Sequence, residues 1–357
     1  MPGRGRAAWV VAVLLGLAGC GGGGKTAGPA SAGGSTASVA GNSPSASGTK
    51  VGLVFDVGGR GDGSFNDAAA AGLERAQREV GVETRAVTAA SGGENREDLL
   101  RLLASQKYGL VFGVGFAFAG PLSSVAKDFP ATMFGIIDAS VPAPNVASLT
   151  FAAEQGSFLA GVAAARTSHT GKLGFVGGVD TDAAHQFQAG FVAGARRVNP
   201  QATVDVRYLT QPPDLSGFAD PARAREVARG MYQAGADVVF HVAGGSGVGV
   251  FEAARDTSAA GAKVWAIGVD SDQYKTAAPE LRPFILTSVL KRVDVAVFDT
   301  IAAFRRNQFR AGLQRFDLAS GGVDITSTGG ALDPLAGELQ SVRDRIVRGE
   351  ITVPVKP

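Results

Sequence analysis

Cysteine is nearly absent from this sequence, because Cys20 is the only one among 357 residues. A single cysteine cannot form a disulfide within the chain, so the fold must depend on its hydrophobic core. Long apolar runs are missing as well: Ala7 to Ala18 is shorter than the roughly 20 residues that a membrane-spanning helix needs. The formal net charge is only +2. No basic stripe with interleaved aromatics is present, which argues against nucleic acid as a partner.

Signals for catalysis and for metal binding are also missing. The histidines His169, His185 and His241 lack metal-site spacing and have no cysteine partners. No set of nucleophile, base and acid stands out, and the "GGSGVG" stretch lacks the lysine and hydroxyl residue of a phosphate-binding loop. A nicotinamide- or nucleotide-using enzyme is the alternative, but the Rossmann fingerprint is absent. We therefore predict no enzymatic activity, no catalytic residue, no cofactor and no metal.

The N-terminus has the pattern of an export signal. Arg4 and Arg6 precede the apolar run, which ends in "LAGC" at Cys20. A basic start, an apolar stretch and small residues before a cut site are typical of a secretory signal. The tetrapeptide resembles the bacterial lipobox, which predicts a signal peptide over 1–19 and a lipid on Cys20. An ordinary signal peptide with a chance cysteine is the alternative. The predicted location is the cell membrane, lipid-anchored on the extracytoplasmic side.

Residues 20–49 consist almost entirely of Gly, Ala, Ser, Thr and Pro. Such a composition cannot bury a core and predicts a flexible tether. The tether would hold the folded part of the chain close to the membrane while allowing it to reorient.

The remaining residues alternate apolar strand patterns with helix patterns, as in "KVGLVFDVGG" followed by "NDAAAAGLERAQREVG". This alternation predicts an α/β fold of doubly wound parallel sheets, and the length favours two lobes. We assign 50–148 plus about 284–311 to the first lobe, and 149–283 plus about 312–357 to the second. The late segments are expected to cross between the lobes, so that three connections form a hinge.

Several predicted strands end in glycine or aspartate. Ligands of open parallel sheets bind beyond the carboxyl ends of the strands, where glycine lets a ligand approach the backbone. The strand ends come from both predicted lobes, so we expect a single cleft between two facing sheets. The residues at these ends are Asp56, Gly113, Gly115, Asp138, Gly177, Gly178, Gly244, Gly245 and Asp270.

The stretch "FDVGGRGDGSFND" joins the first strand to the first helix. Ser64 and Asp67 have the spacing of a capping box, which predicts a purely structural role for both. The capping box does not account for Phe65 and Asn66, which lie in the first turn of the helix. We therefore regard these two residues as candidates for ligand binding.

Seven motifs in matching order resemble the basic membrane protein family, also called PnrA-like lipoproteins. They are "DVGGRGDGSFND", "EQGSFLAGVAA", "GKLGFVGGVD", "FADPARARE", "VAGGSGVGVFEAA", "AIGVDSDQ" and "LTSVLKRVDVAV". The resemblance implies a type I periplasmic binding protein, in which three strands join two doubly wound lobes. It further implies capture of purine nucleosides for the permease subunits of an ABC transporter.

The resemblance also implies roles for individual residues. Phe65 would stack on the nucleobase and Phe218 of "GFADP" would cover its other face. Polar contacts would come from the groups around the cleft: Asp56, Asn66, Asp138, Gly244, Gly245, Asp270 and Lys291. Aromatic stacking contributes about 1–3 kcal/mol per base and tolerates any base, so the polar groups must choose the ligand.

Burial of Asp270 would be unfavourable without a counter-charge, for which Lys291 is the candidate. The predicted receptor acts as a monomer and binds its ligand by lobe closure. Two alternatives keep the fold: one binds a sugar or another small polar molecule, and the other acts as a ligand sensor.

Overall fold

The computed structural model describes residues 49–261 and 263–357. The predicted signal peptide, Cys20 and the tether up to residue 48 lie outside the described residues, so the lipidation of Cys20 stays a prediction. Within the two described ranges, no helix combines the length and apolar character that a membrane span requires.

The described residues form twelve strands and ten α-helices. The strands are β1 (Lys50–Phe55), β2 (Glu83–Thr88), β3 (Leu110–Gly113), β4 (Met133–Ile137), β5 (Val146–Phe151), β6 (Lys172–Val179), β7 (Thr203–Thr210), β8 (Val238–Val242), β9 (Trp265–Asp270), β10 (Ile285–Lys291), β11 (Gly312–Phe316) and β12 (Val323–Ile325). The helices are α1 (Phe65–Val80), α2 (Arg96–Ser105), α3 (Ala119–Asp128), α4 (Ala153–Thr167), α5 (Asp182–Val198), α6 (Pro221–Gln233), α7 (Gly247–Ala259), α8 (Gln273–Thr276), α9 (Val293–Arg305) and α10 (Ala336–Val347).

The strands build two six-stranded sheets, with the orders β11-β5-β4-β3-β1-β2 and β12-β10-β9-β8-β6-β7. All neighbouring strands are parallel except β12, which is antiparallel to β10. The predicted α/β class with two parallel-sheet lobes is confirmed. Central strands such as β3 are buried along their whole length. By contrast, the edge strand β2 has no fully buried residue, and the edge strand β7 is exposed at alternate positions over its first six residues. Burial on both faces explains why the central strands are continuous apolar runs.

We call the β1–β5 and β11 sheet with α1–α3 and α9 the first lobe, and the rest the second lobe. The chain changes sheet after β5, and α9 returns to pack against α1 after β10. A last connection, between β11 and β12, leads back to the second sheet. The chain therefore passes between the lobes three times, as predicted.

Sheet membership corrects the predicted assignment of three segments. Residues 149–151 were assigned to the second lobe but belong to β5 of the first sheet. Residues from about 284 to 311 were assigned to the first lobe, but β10 in this range pairs with β9 in the second sheet. β11 pairs with β5 in the first sheet, although 312–357 was assigned to the second lobe. These predictions were wrong because periodicity identifies a strand but carries no information about its distant pairing partner.

Candidate functional site

A cavity of about 800 Å³, counting the part open to solvent, lies between the carboxyl ends of the two sets of strands. All of the ligand-binding residues predicted from the sequence line this cavity: Asp56, Phe65, Asn66, Asp138, Phe218, Gly244, Gly245, Asp270 and Lys291.

Two of the cavity-lining aspartates adopt the same unusual backbone conformation. Asp138, just after β4, has φ +65°, and Asp270, at the end of β9, has φ +64°. This left-handed region is uncommon for residues other than glycine and is unfavourable by about 1–3 kcal/mol. Each lobe thus turns its chain sharply at a strand end and directs a carboxylate toward the cavity.

The loop before α1 is organised by Asp62 and not by the predicted capping box. The Asp62 carboxylate accepts hydrogen bonds from the backbone N–H groups of Ser64, Asn66 and Asp67 at 2.9, 2.8 and 3.1 Å. Ser64 makes no capping hydrogen bond with its side chain. Asp67 accepts from the N–H groups of Gly61 and Gly63 instead. The capping-box prediction was wrong because it could not take account of an acid inside the glycine-rich loop.

The Ser64 side chain reaches the opposite lobe. Its Oγ donates to Asp270 Oδ2 at 2.6 Å, and Ser271 Oγ donates back to the Ser64 carbonyl at 3.2 Å. Both Ser64 and Asp270 are buried. Further along the cleft, a Cβ added at Gly245 would lie 3.6 Å from Asp62 Cβ, so that loop also faces the first lobe closely. The lobes are therefore in contact across the cavity, as in a closed arrangement.

A second link between the lobes is ionic. The Lys291 ammonium, at the end of β10, donates to Asp138 Oδ2 of the first lobe. The same Nζ lies 4.7 Å from the ring centroid of Phe65, 5.4 Å from that of Phe151 and 5.8 Å from that of Phe187. Its side chain is only 5% exposed. The predicted partner was Asp270, but the structure pairs the ammonium with Asp138.

Burial controls the protonation of Asp270. Removal from water raises its pKa to about 6, while the charge of Lys291 and the hydrogen bond from Ser64 act in the opposite direction. Burial also raises the pKa of Asp62, although the hydrogen bonds that it accepts from backbone N–H groups act to lower it. Asp270 is therefore a cavity carboxylate that changes charge near pH 6.

Aromatic rings line the cavity from both lobes. Phe65 lies in the first turn of α1, and Phe218 ends a short 3-10 helix, Ser216–Phe218, that follows β7. A Cβ at Gly178 would come within 2.7 Å of Phe218 Cδ1, so glycine at this strand end leaves room for the ring. Beside Phe65, the buried Asn66 has an Oδ1 without a hydrogen-bond partner. The cavity can thus offer flat apolar faces from both lobes.

Some lining residues were not among the predicted ligand-binding residues. They come from the second lobe, as Thr181, Ala184, Phe187 and Leu215 do, or from loops of the first lobe, as Asp62 and Gly115 do. Phe187 lies in α5, two residues after His185. His185 instead pairs with Asp180, with Nε2 to Oδ1 at 2.7 Å, and does not line the cavity. Among the described residues, no group of three or more His, Cys, Asp or Glu side chains is arranged to hold a metal ion.

Comparison with known proteins identifies the family. Residues 49–356 match the family described as ABC transporter substrate-binding protein PnrA-like. The chain belongs to this family. The predicted resemblance is confirmed, and the protein is a substrate-binding protein of the ABC transporter class.

Individual relatives agree with this assignment. The ABC transporter nucleoside-binding protein BmpA of Lactococcus lactis is 34% identical over 86% of this chain and 89% of its own. A protein of Pyrococcus furiosus named as an uncharacterised lipoprotein is 35% identical over 77% of this chain and 69% of its own. The crystal structure of an ABC transporter solute-binding protein from Aeropyrum pernix superposes with a TM-score of 0.75, at 30% identity, over 85% of this chain and 93% of that one.

Proposed function

We propose that this PnrA-like protein is a lipid-anchored, extracytoplasmic receptor that captures purine nucleosides and delivers them to the permease of an ABC transporter. It would act as a monomer and carry out no catalysis. The observation that carries the proposal is the cavity between the lobes, to which the first lobe contributes Phe65 and Asn66 and the second lobe contributes Phe218.

The chemistry of a purine nucleoside suits these groups. A purine has two flat faces, which two phenyl rings from opposite lobes can cover, and stacking contributes about 1–3 kcal/mol per base. Its rim and the ribose carry N–H and O–H donors, for which Asn66 and the cleft carboxylates are acceptors. The nucleoside-binding name of the Lactococcus relative supports the same ligand class.

Binding and lobe closure would be coupled through the residues that touch both lobes. A ligand that contacts both Phe65 and Phe218 favours the closed state because it interacts better with that state than with the open one. The Ser64–Asp270 hydrogen bond and the Lys291–Asp138 pair would support closure from the protein side. The closed form is the one expected to dock on the permease.

A thermal-shift panel tests the ligand class. Purine and pyrimidine nucleosides, free bases, ribose and hexoses are each added to the protein at equal concentration. A ligand present at 100 times its Kd stabilises the folded state by about 2.7 kcal/mol, so binders raise the melting temperature. We expect purine nucleosides to give the largest rise. A rise with hexoses and none with nucleosides would instead support a sugar receptor.

Lipid anchoring has a separate test. Replacing Cys20 with alanine should move the protein from the membrane fraction to the soluble extracytoplasmic fraction of the cells that express it. Retention in the membrane fraction would contradict the lipid anchor but leave the ligand proposal untouched.

A further inference from the structure

One oxygen of the Asp56 carboxylate is fully engaged within the first lobe. Oδ1 accepts from the N–H of Val57 at 2.8 Å, from Arg96 Nε at 2.9 Å and from Arg96 Nη2 at 2.5 Å. The side chains of Asp56 and Arg96 are only 13% and 12% exposed. A fork of two guanidinium donors on a carboxylate fixes its orientation as well as its charge.

The other oxygen faces the cavity. Among the described residues, no hydrogen bond reaches Asp56 Oδ2, although Asp56 lines the cavity. A Cβ added at Gly115 would lie 3.4 Å from this oxygen and 3.8 Å from Phe65 Cε1, so the oxygen and the Phe65 ring both lie close to Gly115. Gly115 has φ +115° and no side chain, which leaves the space next to Asp56 Oδ2 open.

Arg96 is itself held in place. Its Nη1 donates to the carbonyl of Gly93 at 3.1 Å, and its guanidinium carbon lies 5.8 Å from the ring centroid of Phe118. A Cβ at Gly93 would come within 2.0 Å of that carbon. Arg96 is the first residue of α2, where the helix dipole disfavours a cation. The ion pair with Asp56 accounts for an arginine at this locally unfavourable position.

We infer that Arg96 is a positioning residue for ligand recognition. By occupying Oδ1, it holds Asp56 so that Oδ2 is presented to the cavity as an acceptor beside Gly115. The site then selects nucleosides that offer an N–H or O–H donor at that point and disfavours those with an acceptor or a methyl group there. The inference rests on the proposed function, because it specifies which nucleosides the cavity accepts.

Titration calorimetry on the full chain tests this. The ligands are inosine, 1-methylinosine and the 2′-, 3′- and 5′-deoxy derivatives of inosine, so that a base donor and each ribose donor are removed in turn. One of these analogues should bind wild type at least about tenfold more weakly than inosine, and it marks the donor that meets Asp56. In Arg96→Gln the affinity for inosine should fall about tenfold or more, while that for the marked analogue changes little.

Three further variants separate positioning from folding. Arg101→Gln is the matched control, because Arg101 lies on the same helix and pairs with Glu97 and Asp128 outside the cavity. It should bind all ligands as wild type does. Arg96→Lys should recover part of the inosine affinity. In Asp56→Asn the Arg96 donors should hold the amide oxygen, so its NH2 faces the cavity and the preference for inosine over the marked analogue should disappear.

Some results would overturn the inference alone. They are an unchanged inosine affinity in Arg96→Gln, an equal loss for every analogue, or a crystal structure of Arg96→Gln in which Asp56 Oδ2 keeps its position. A wild-type protein that binds none of the nucleosides would overturn the proposed function, and the inference with it.

Discussion

Replacing the buried Asp270 with asparagine is expected to stabilise the free protein while weakening ligand binding. Asparagine keeps the size of the side chain, and its oxygen can still accept the hydrogen bond from Ser64, which is 2.6 Å long in the wild type. What it removes is the carboxylate charge, which is unfavourable in this buried position. The change therefore acts almost entirely on the electrostatics of the interface between the lobes.

The size of the effect follows from the pKa of Asp270. In the folded protein this pKa is raised from 3.8 to about 6. Since one unit corresponds to 1.36 kcal/mol, the ionised carboxylate lowers the free energy of unfolding at pH 7.5 by about 3 kcal/mol. A raised folded-state pKa favours folding below the unfolded value, and this advantage disappears as the pH rises through 6. The gain in Asp270→Asn should therefore be full above pH 6 and should shrink toward pH 4.

Urea denaturation at pH 7.5 and at pH 4 measures this. Asp270→Asn should have a higher midpoint than wild type at pH 7.5 and a much smaller advantage at pH 4. Asp138→Asn is the matched control, because it removes the carboxylate that pairs with the Lys291 ammonium, and it should lower the midpoint. A lower midpoint for Asp270→Asn at pH 7.5 would refute the electrostatic reasoning.

Two further predictions concern the links between the lobes and the interior of the second lobe. Ser64→Ala removes a buried hydrogen bond to a carboxylate, and such a bond contributes about 1.5–3 kcal/mol. Because this bond links the lobes, the free protein should open, and its radius of gyration in X-ray scattering should rise. An unchanged radius of gyration and ligand affinity would contradict this. Burial lowers the pKa of His241 from 6.5 to about 3. The free energy of unfolding should therefore fall as the pH drops from 6.5 toward 3, and it should fall less in His241→Leu. Equal pH dependence of the urea midpoints in the two proteins would refute the second prediction.

The sequence was sufficient to predict the strand ends that form the cavity. Asp56, Asp138 and Asp270 each follow an apolar run directly, and the carboxyl ends of parallel strands meet on one side of a sheet. These features are local in the chain, so a pattern can identify them. Their convergence on one cavity follows from the parallel arrangement of the strands.

The contacts that tune the cavity could not be predicted, because their partners are distant in sequence. Ser64 and Asp270 are 206 residues apart, and Arg96 and Asp56 are 40 apart. The spacing around Ser64 favoured a helix cap, and no motif in the sequence analysis involved Arg96. Only the packing of the two sheets reveals that one links the lobes and the other orients a carboxylate.

Titration calorimetry of a purine nucleoside with wild type, Phe65→Ala and Phe218→Ala tests most directly whether the two rings stack on the nucleobase. Loss of one stacking ring should weaken binding at least about tenfold, which corresponds to 1.4 kcal/mol. Phe298→Ala is the control, because Phe298 lies on α9 outside the cavity and stacks with Arg75; it should bind as wild type does. Affinity should fall in both cavity variants, and unchanged affinity in both would contradict stacking by these two rings.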